Sequence, residues 1–144
     1  MTLDPNLVTL AVSRNIGALA TIKRDGRPQL STVSFTFDPA AAMVRISEVD
    51  GRAKVHNLRR DPRASVYVTS NDGWTYTVLE GRVELSPVAT ALDDDTVEEL
   101  VKVFRAIRGE DHPDWAEYRA AMVADRRLVA RLRVERAYGL AGAQ

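Results

Sequence analysis

"NIGALATIKRDGRPQLSTVSFTF", residues 15–37, decides the fold. Two extended runs flank Asp25-Gly26, a dipeptide that favours the tight connection of a β-hairpin. The first run, Ile16 to Ile22, is apolar or small on both faces, which suits a strand covered on both sides. The second alternates. Gln29, Ser31, Val33, Phe35 and Phe37 face one way, and Leu30, Thr32, Ser34 and Thr36 face the other.

The pattern continues outward from this hairpin. "DPNLVTLAVSR" before it predicts a short helix, with Asp4 as N-cap, Pro5 in the first turn, and Leu7, Leu10 and Ala11 on one face. After it, "DPAA" turns the chain into the strand "MVRISE". A short helix from Gly51 to Arg60 ends at Asp61-Pro62. "ASVYVT" and "WTYTVLEGRVEL" are strands around the turn "NDG", with Gly81 at a bulge and Pro87 closing the second. Two helices follow. Val97, Leu100, Val101, Phe104 and Ile107 share a face of the first, behind Asp93, Asp94 and Asp95. Pro113 opens the second, with Trp115, Tyr118 and Met122 on one side. "LVARLRVERAYGL" ends the chain as a strand, with Leu128, Ala130, Leu132 and Val134 inward and Arg131, Arg133 and Glu135 towards water. Consecutive hairpins exclude a doubly wound parallel sheet and predict an antiparallel barrel with peripheral helices, one domain over residues 1–144.

Composition narrows the function. Twenty Lys+Arg balance 20 Asp+Glu, so no global charge attracts nucleic acid or a membrane, and neither is expected as a partner. Cysteine is absent and only His56 and His112 are present, which excludes disulfides and thiolate catalysis and speaks against a metal site. No Ser/His/Asp set assembles, and "GRPQLSTV" lacks the spacing of a phosphate loop. No apolar run approaches membrane-spanning length and the N-terminus is no signal peptide, so a cytoplasmic protein is expected.

Against this neutral background, "GRAKVHNLRRDPRAS", residues 51–65, carries five Lys+Arg and one acid. Arg59 and Arg60 suit the last turn of a helix, where cations favour the dipole, and Arg63 suits a surface loop. Arg52 and Lys54 fall in the first turn, where the dipole disfavours them. An anion held between free N–H groups and these side chains reverses that sign, and Gly51 allows close approach. The competing reading pairs Arg52 or Lys54 with Glu48 or Asp50. On the anion reading, loss of Lys54 leaves stability level or slightly raised. Asn57 either shares the ligand or is solvated, and His56 faces solvent or is structural. Trp74 either stacks on an aromatic ligand or belongs to the core. Gln29, Ser31 and Thr32 either meet the edge of a heterocycle or face water.

Together "IGALATIKRDGRPQLSTVSFTFD", "MVRISEVDGRAKVHNLRRDPRASVYV" and "DGWTYTVLEGRVEL" resemble the split β-barrel flavin and deazaflavin oxidoreductases, relatives of pyridoxine 5′-phosphate oxidase. The similarity covers nearly the whole chain and is greatest to the actinobacterial branch that uses coenzyme F420. It implies an antiparallel split β-barrel and a homodimer with cofactor in grooves at the subunit interface. It also implies hydride transfer between reduced 8-hydroxy-5-deazaflavin and a small conjugated or heteroaromatic substrate. An FMN-dependent oxidoreductase and a non-enzymatic cofactor-binding protein are the alternatives. By the same resemblance Arg52 and Lys54 hold the cofactor phosphate, with Ala53 and Asn57 beside them. Ser47 contacts the ribityl chain or phosphate, and Gln29, Ser31, Thr32 and Val33 line the ring. Trp74 reaches the cofactor from the second subunit. No side chain stands out as a catalytic acid. The sequence ends "YGLAGAQ", without the arginine-bearing segment of true pyridoxine phosphate oxidases, so pyridoxal phosphate synthesis is not expected.

Overall fold

In the computed structural model, which describes residues 2–142, the strands form one antiparallel sheet that curls into a split barrel. In chain order the elements are α1 (Pro5–Val12), β1 (Ile16–Ile22), β2 (Pro28–Ser34), β3 (Thr36–Asp38), β4 (Met43–Val49), α2 (Ala53–Arg60), β5 (Arg63–Thr69), β6 (Tyr76–Leu85), α3 (Asp95–Arg108), α4 (Trp115–Ala124) and β7 (Arg127–Leu140). The strand order is β2-β1-β5-β6-β7-β4-β3.

The β1–β2 connection departs from a two-residue turn. Lys23 N–H donates to the Arg27 carbonyl at 2.8 Å and Gly26 N–H to the Lys23 carbonyl at 2.9 Å, so the loop is Arg24-Asp25-Gly26. Gly26, at φ 89°, takes the left-handed position that follows a type I turn in a three-residue hairpin loop. The second run breaks at Phe35 into β2 and β3, but its alternation holds across the break. Val33, Phe35 and Phe37 are buried, whereas Leu30, Thr32 and Ser34 are exposed.

Phe35, Leu19, Ile46, Leu79, Leu132 and Val66 fill the barrel. A smaller cluster of Ala89, Val97, Leu100 and Val129 lies beneath α3. The early part of β7 therefore lacks the wet outer face that its alternation suggested. Val129 is fully buried, and Arg131 reaches Glu99 of α3 with its Nε at 2.9 Å. Gly81 does mark a bulge, but the extra residue is on β7. Gly81 pairs with Val134 and Glu80 with Arg136, leaving Glu135 over. A Cβ on Gly81 would overlap the Arg133 carbonyl, so glycine is required there.

The split in the barrel positions the site. β3 pairs only with Met43–Arg45 of β4, so the remainder of β4 has a free edge on that side. β2 is the edge strand at the other end of the sheet from β3 and leaves its own outer side unpaired among the described residues. α2 follows β4 directly and brings its N-terminus to this gap.

Candidate functional site

Between the edges of β2 and β4 lies a cleft of about 380 Å³, lined by Gln29, Ser31, Ser47, Glu48, Arg52, Lys54 and Arg127 among others. Its base is the start of α2. This helix begins at Ala53, two residues later than the sequence reading, because Gly51 takes φ 93° and Arg52 is extended at the N-cap. No side chain caps the helix. The Val55 and His56 N–H groups reach the Arg52 carbonyl, while those of Ala53 and Lys54 find no acceptor among the described residues. Unsatisfied N–H groups and the positive dipole end therefore open on a cleft walled by cations.

The cations differ in their surroundings. Arg52 is exposed and forms no ion pair among the described residues. Lys54 does not stand free. Its Nζ lies 3.1 Å from Glu48 Oε2, and Glu48 is only 3% exposed. Burial pushes the Glu48 carboxyl above its ordinary value, offset in part by Lys54, Arg127 and Arg52. The pairing with Glu48 is thus real for Lys54, and the expectation that losing Lys54 leaves stability untouched is corrected. Three cations against one carboxylate still leave the cleft positive.

The other cations of the segment serve the fold. Arg59 pairs with Asp50 at 2.8 Å, and Arg60 donates to the Ile22 carbonyl at 2.7 Å, so they tie α2 to its neighbours. Arg63, the first residue of β5, pairs with Asp61 at 2.8 Å and holds that carboxyl down to about 2.

Asn57 is neither solvated nor in the cleft wall. It is 7% exposed, and its Nδ2 donates to Gln29 Oε1 at 2.7 Å and Thr21 Oγ1 at 3.1 Å. Its Oδ1 accepts from Arg60 at 3.1 Å. Asn57 therefore fixes the Gln29 amide and leaves the NH₂ of Gln29 for the cleft. Of the other expected residues, Gln29, Ser31, Ser47 and Ala53 line the cleft. Thr32 is exposed on the opposite face of β2, and Val33 is in the core at 5% exposure. Trp74 is in the β5–β6 turn at 79% exposure, outside the core and away from the cleft wall. His56 faces solvent.

Arg127 is the cleft residue that sequence reasoning missed. It opens β7 and is set opposite Val49 by strand register. Its Nη1 donates to Ser47 Oγ at 3.3 Å, while its Nε is buried without a partner. Only the pairing of β4 with β7 brings it here, and no local signal in the sequence marks that pairing.

The family model of pyridoxamine 5′-phosphate oxidase matches residues 3–141. The F420H(2)-dependent biliverdin reductase of Mycobacterium tuberculosis is 27% identical over 139 residues, covering 96% of this chain and 89% of that protein. Among solved structures, an F420 reductase superposes with a TM-score of 0.69 at 22% identity, covering 94% of this chain and 98% of its own. A conserved hypothetical protein of Mycobacterium tuberculosis gives 0.73 at 20% identity, covering 98% of this chain and 90% of its own. No described helix is long and apolar enough to cross a membrane, and no acidic or histidine cluster suited to a metal occurs among the described residues.

Proposed function

The chain belongs to the pyridoxamine 5′-phosphate oxidase family, and on that premise we propose that it is a coenzyme F420-dependent reductase of a small conjugated or heteroaromatic molecule. The observation that carries this reading is the cationic cleft at the uncapped N-terminus of α2, continuous with the polar edge of β2. The F420 dependence in the name of the 27% identical mycobacterial protein supports the deazaflavin over FMN.

The donor set suits a phosphate-bearing group. Arg52, Lys54 and the free N–H groups of Ala53 and Lys54 hold the phosphate. Ser47 meets the adjoining chain. Gln29, oriented by Asn57, and Ser31 offer polar groups to the edge of a ring. The reduced deazaflavin supplies a hydride when bound. The protein's part is to bind, to orient the acceptor and to exclude water. Thr32 and Trp74 point outward and are available to a second subunit. The homodimer, with the chain as one cofactor-binding unit, belongs to the same proposal.

Equilibrium titration with coenzyme F420 and FMN side by side, followed by fluorescence, tests the reading. Tighter binding of the deazaflavin supports it. Protein that purifies yellow with tightly held FMN and ignores coenzyme F420 overturns it in favour of FMN chemistry.

A further inference from the structure

Beside the cleft lies a larger pocket of about 610 Å³, between the α3–α4 hairpin and the barrel, that shares Ser47 and Arg127 with it. Its size falls within the range of roughly 300–1,000 Å³ typical of small-molecule sites. Phe104 and Ile107 of α3 and Ala121 and Met122 of α4 give it apolar walls. Phe104 is held by edge-to-face contacts with Trp115 at 5.6 Å and Tyr118 at 5.1 Å between ring centroids. Tyr118 Oη already donates to the Leu100 carbonyl at 3.0 Å, so the aromatic wall needs nothing from a ligand to be satisfied.

Arg127 is not satisfied. No carboxylate lies within ion-pair distance of it among the described residues. Its Nε is buried without an acceptor, and its bond to Ser47 is long, at 3.3 Å. Buried donors in native proteins are nearly always paired, and a guanidinium is matched best by a carboxylate that accepts from two of its nitrogens. The lining also carries Arg108, stacked over the Phe104 ring at 5.5 Å, with His112 and Glu117. Arg127 is the lining cation that combines a buried donor lacking an acceptor with a place at the junction to the cleft, and with the apolar walls it defines a ligand with two parts.

We propose that this pocket binds a flat apolar molecule bearing a carboxylate. The carboxylate rests on Arg127 and the apolar body lies against Phe104, Ile107 and Met122. That this ligand is the molecule reduced rests on the function proposed above; that it binds here does not. Arg127 then meets both ligands, one from each side.

Calorimetric titration of the cofactor-free protein with naphthoate, and with neutral naphthalenemethanol of similar shape, tests the site. Naphthoate is expected to bind at least about tenfold more tightly than the alcohol, and Arg127→Gln to remove that preference. Ala121→Phe, with Ile107→Phe as a second filling variant from the facing helix, is expected to weaken naphthoate at least about tenfold. Both positions are outside the cleft, so these variants are expected to keep wild-type affinity for coenzyme F420. Naphthoate that fails to bind folded wild type, or binds both filling variants as well as wild type, overturns the proposal. Equal affinity for acid and alcohol overturns the role of Arg127. Because the titration omits cofactor, failure of coenzyme F420 to bind overturns the function proposed above and leaves this pocket standing.

Discussion

Arg52 and Lys54 are two positions apart, yet their surroundings give them different tasks. Arg52 is exposed, forms no ion pair among the described residues and is set against the dipole, so its removal should not harm the fold. Arg52→Ala is expected to weaken coenzyme F420 binding by roughly 10- to 150-fold, the equivalent of about 1.5–3 kcal/mol for a charge-assisted hydrogen bond, while the melting temperature stays level. Fluorescence titration and a thermal melt check the two halves separately, and unchanged affinity removes the phosphate from this helix. Lys54→Ala should cost affinity and also about 1–3 kcal/mol of stability at neutral pH, because it leaves Glu48 buried and uncompensated. Glu48→Gln supplies the converse. Burial raises the Glu48 pKa in the folded state, so the folded chain holds that proton more tightly than the unfolded chain. Its favourable contribution is therefore present at acid pH and is lost as pH rises above the ordinary glutamate value of 4.5. The stability of the glutamine variant relative to wild type should accordingly improve as pH rises from below 4.5 to neutral, and anion affinity should rise as Lys54 is released. A melting-temperature difference that does not vary with pH would contradict this account.

α3 shows how far a single element can be read from its residues and where that reading stops. Its apolar spacing and aspartate-rich start are local features, and both are in the structure: Asp94 caps the helix by accepting from Val97 N–H at 2.8 Å. The same carboxylate accepts from Thr90 and Ala91 N–H at 2.8 and 3.1 Å, which binds the preceding loop to the helix. Asp94→Ala should therefore cost about 1–2 kcal/mol, measurable by denaturant unfolding, and a loss within error would show the cap to be idle. Glu99 belongs to a different category. Burial pushes its carboxyl up, but hydrogen bonds and charge from Arg131 and Arg45 prevail and lower it. Its contribution is thus present above the ordinary value of 4.5 and lost as pH falls through the lowered one, so Glu99→Gln should destabilise more at neutral pH than in acid. Nothing local predicts that network, because its arginines come from β4 and β7. The same division runs through the site. The clash of Arg52 with the dipole and the polar positions of β2 were legible as periodicity and end effects. The partner of Lys54 was legible as one of two readings, since Glu48 is only six residues away on the preceding strand. The burial of Asn57 against β1 and β2 and the arrival of Arg127 from β7 depend on how distant elements pack, and sequence spacing does not encode those contacts locally.

At the scale of the whole molecule, the bulge in β7 decides which surface is apolar. Up to Val134 the even positions of β7 face the core; after the extra residue, Glu135, Ala137 packs against it instead. Tyr138 and Leu140 are thereby turned outward, 49% and 63% exposed. Strand register then aligns Ala18, Tyr67, Val78 and Tyr138 in one row across four strands, with Tyr76 and Leu140 in the next. Tyr67 and Tyr76 pack with ring centroids 5.6 Å apart, and Trp74 stands 79% exposed in the adjoining turn. Exposed apolar side chains grouped in this way suit a surface that the proposed dimer would cover. A second copy is the occupant expected of it, since a two-fold interface presents one self-complementary patch twice and leaves Trp74 projecting from the rim. Light scattering should give twice the mass of the chain for wild type. Tyr138→Glu should give the monomer mass, because a carboxylate buried at the centre of such an interface has no partner there. Leu140→Asp serves as an independent second variant. Both should keep the circular dichroism of the folded barrel, since neither side chain is in the core. Coenzyme F420 affinity should fall in the monomeric variants although Arg52, Lys54 and Arg127 are untouched. A wild type that is monomeric at working concentration, or a monomeric variant that binds the coenzyme as tightly as wild type, would show that one subunit completes the site alone.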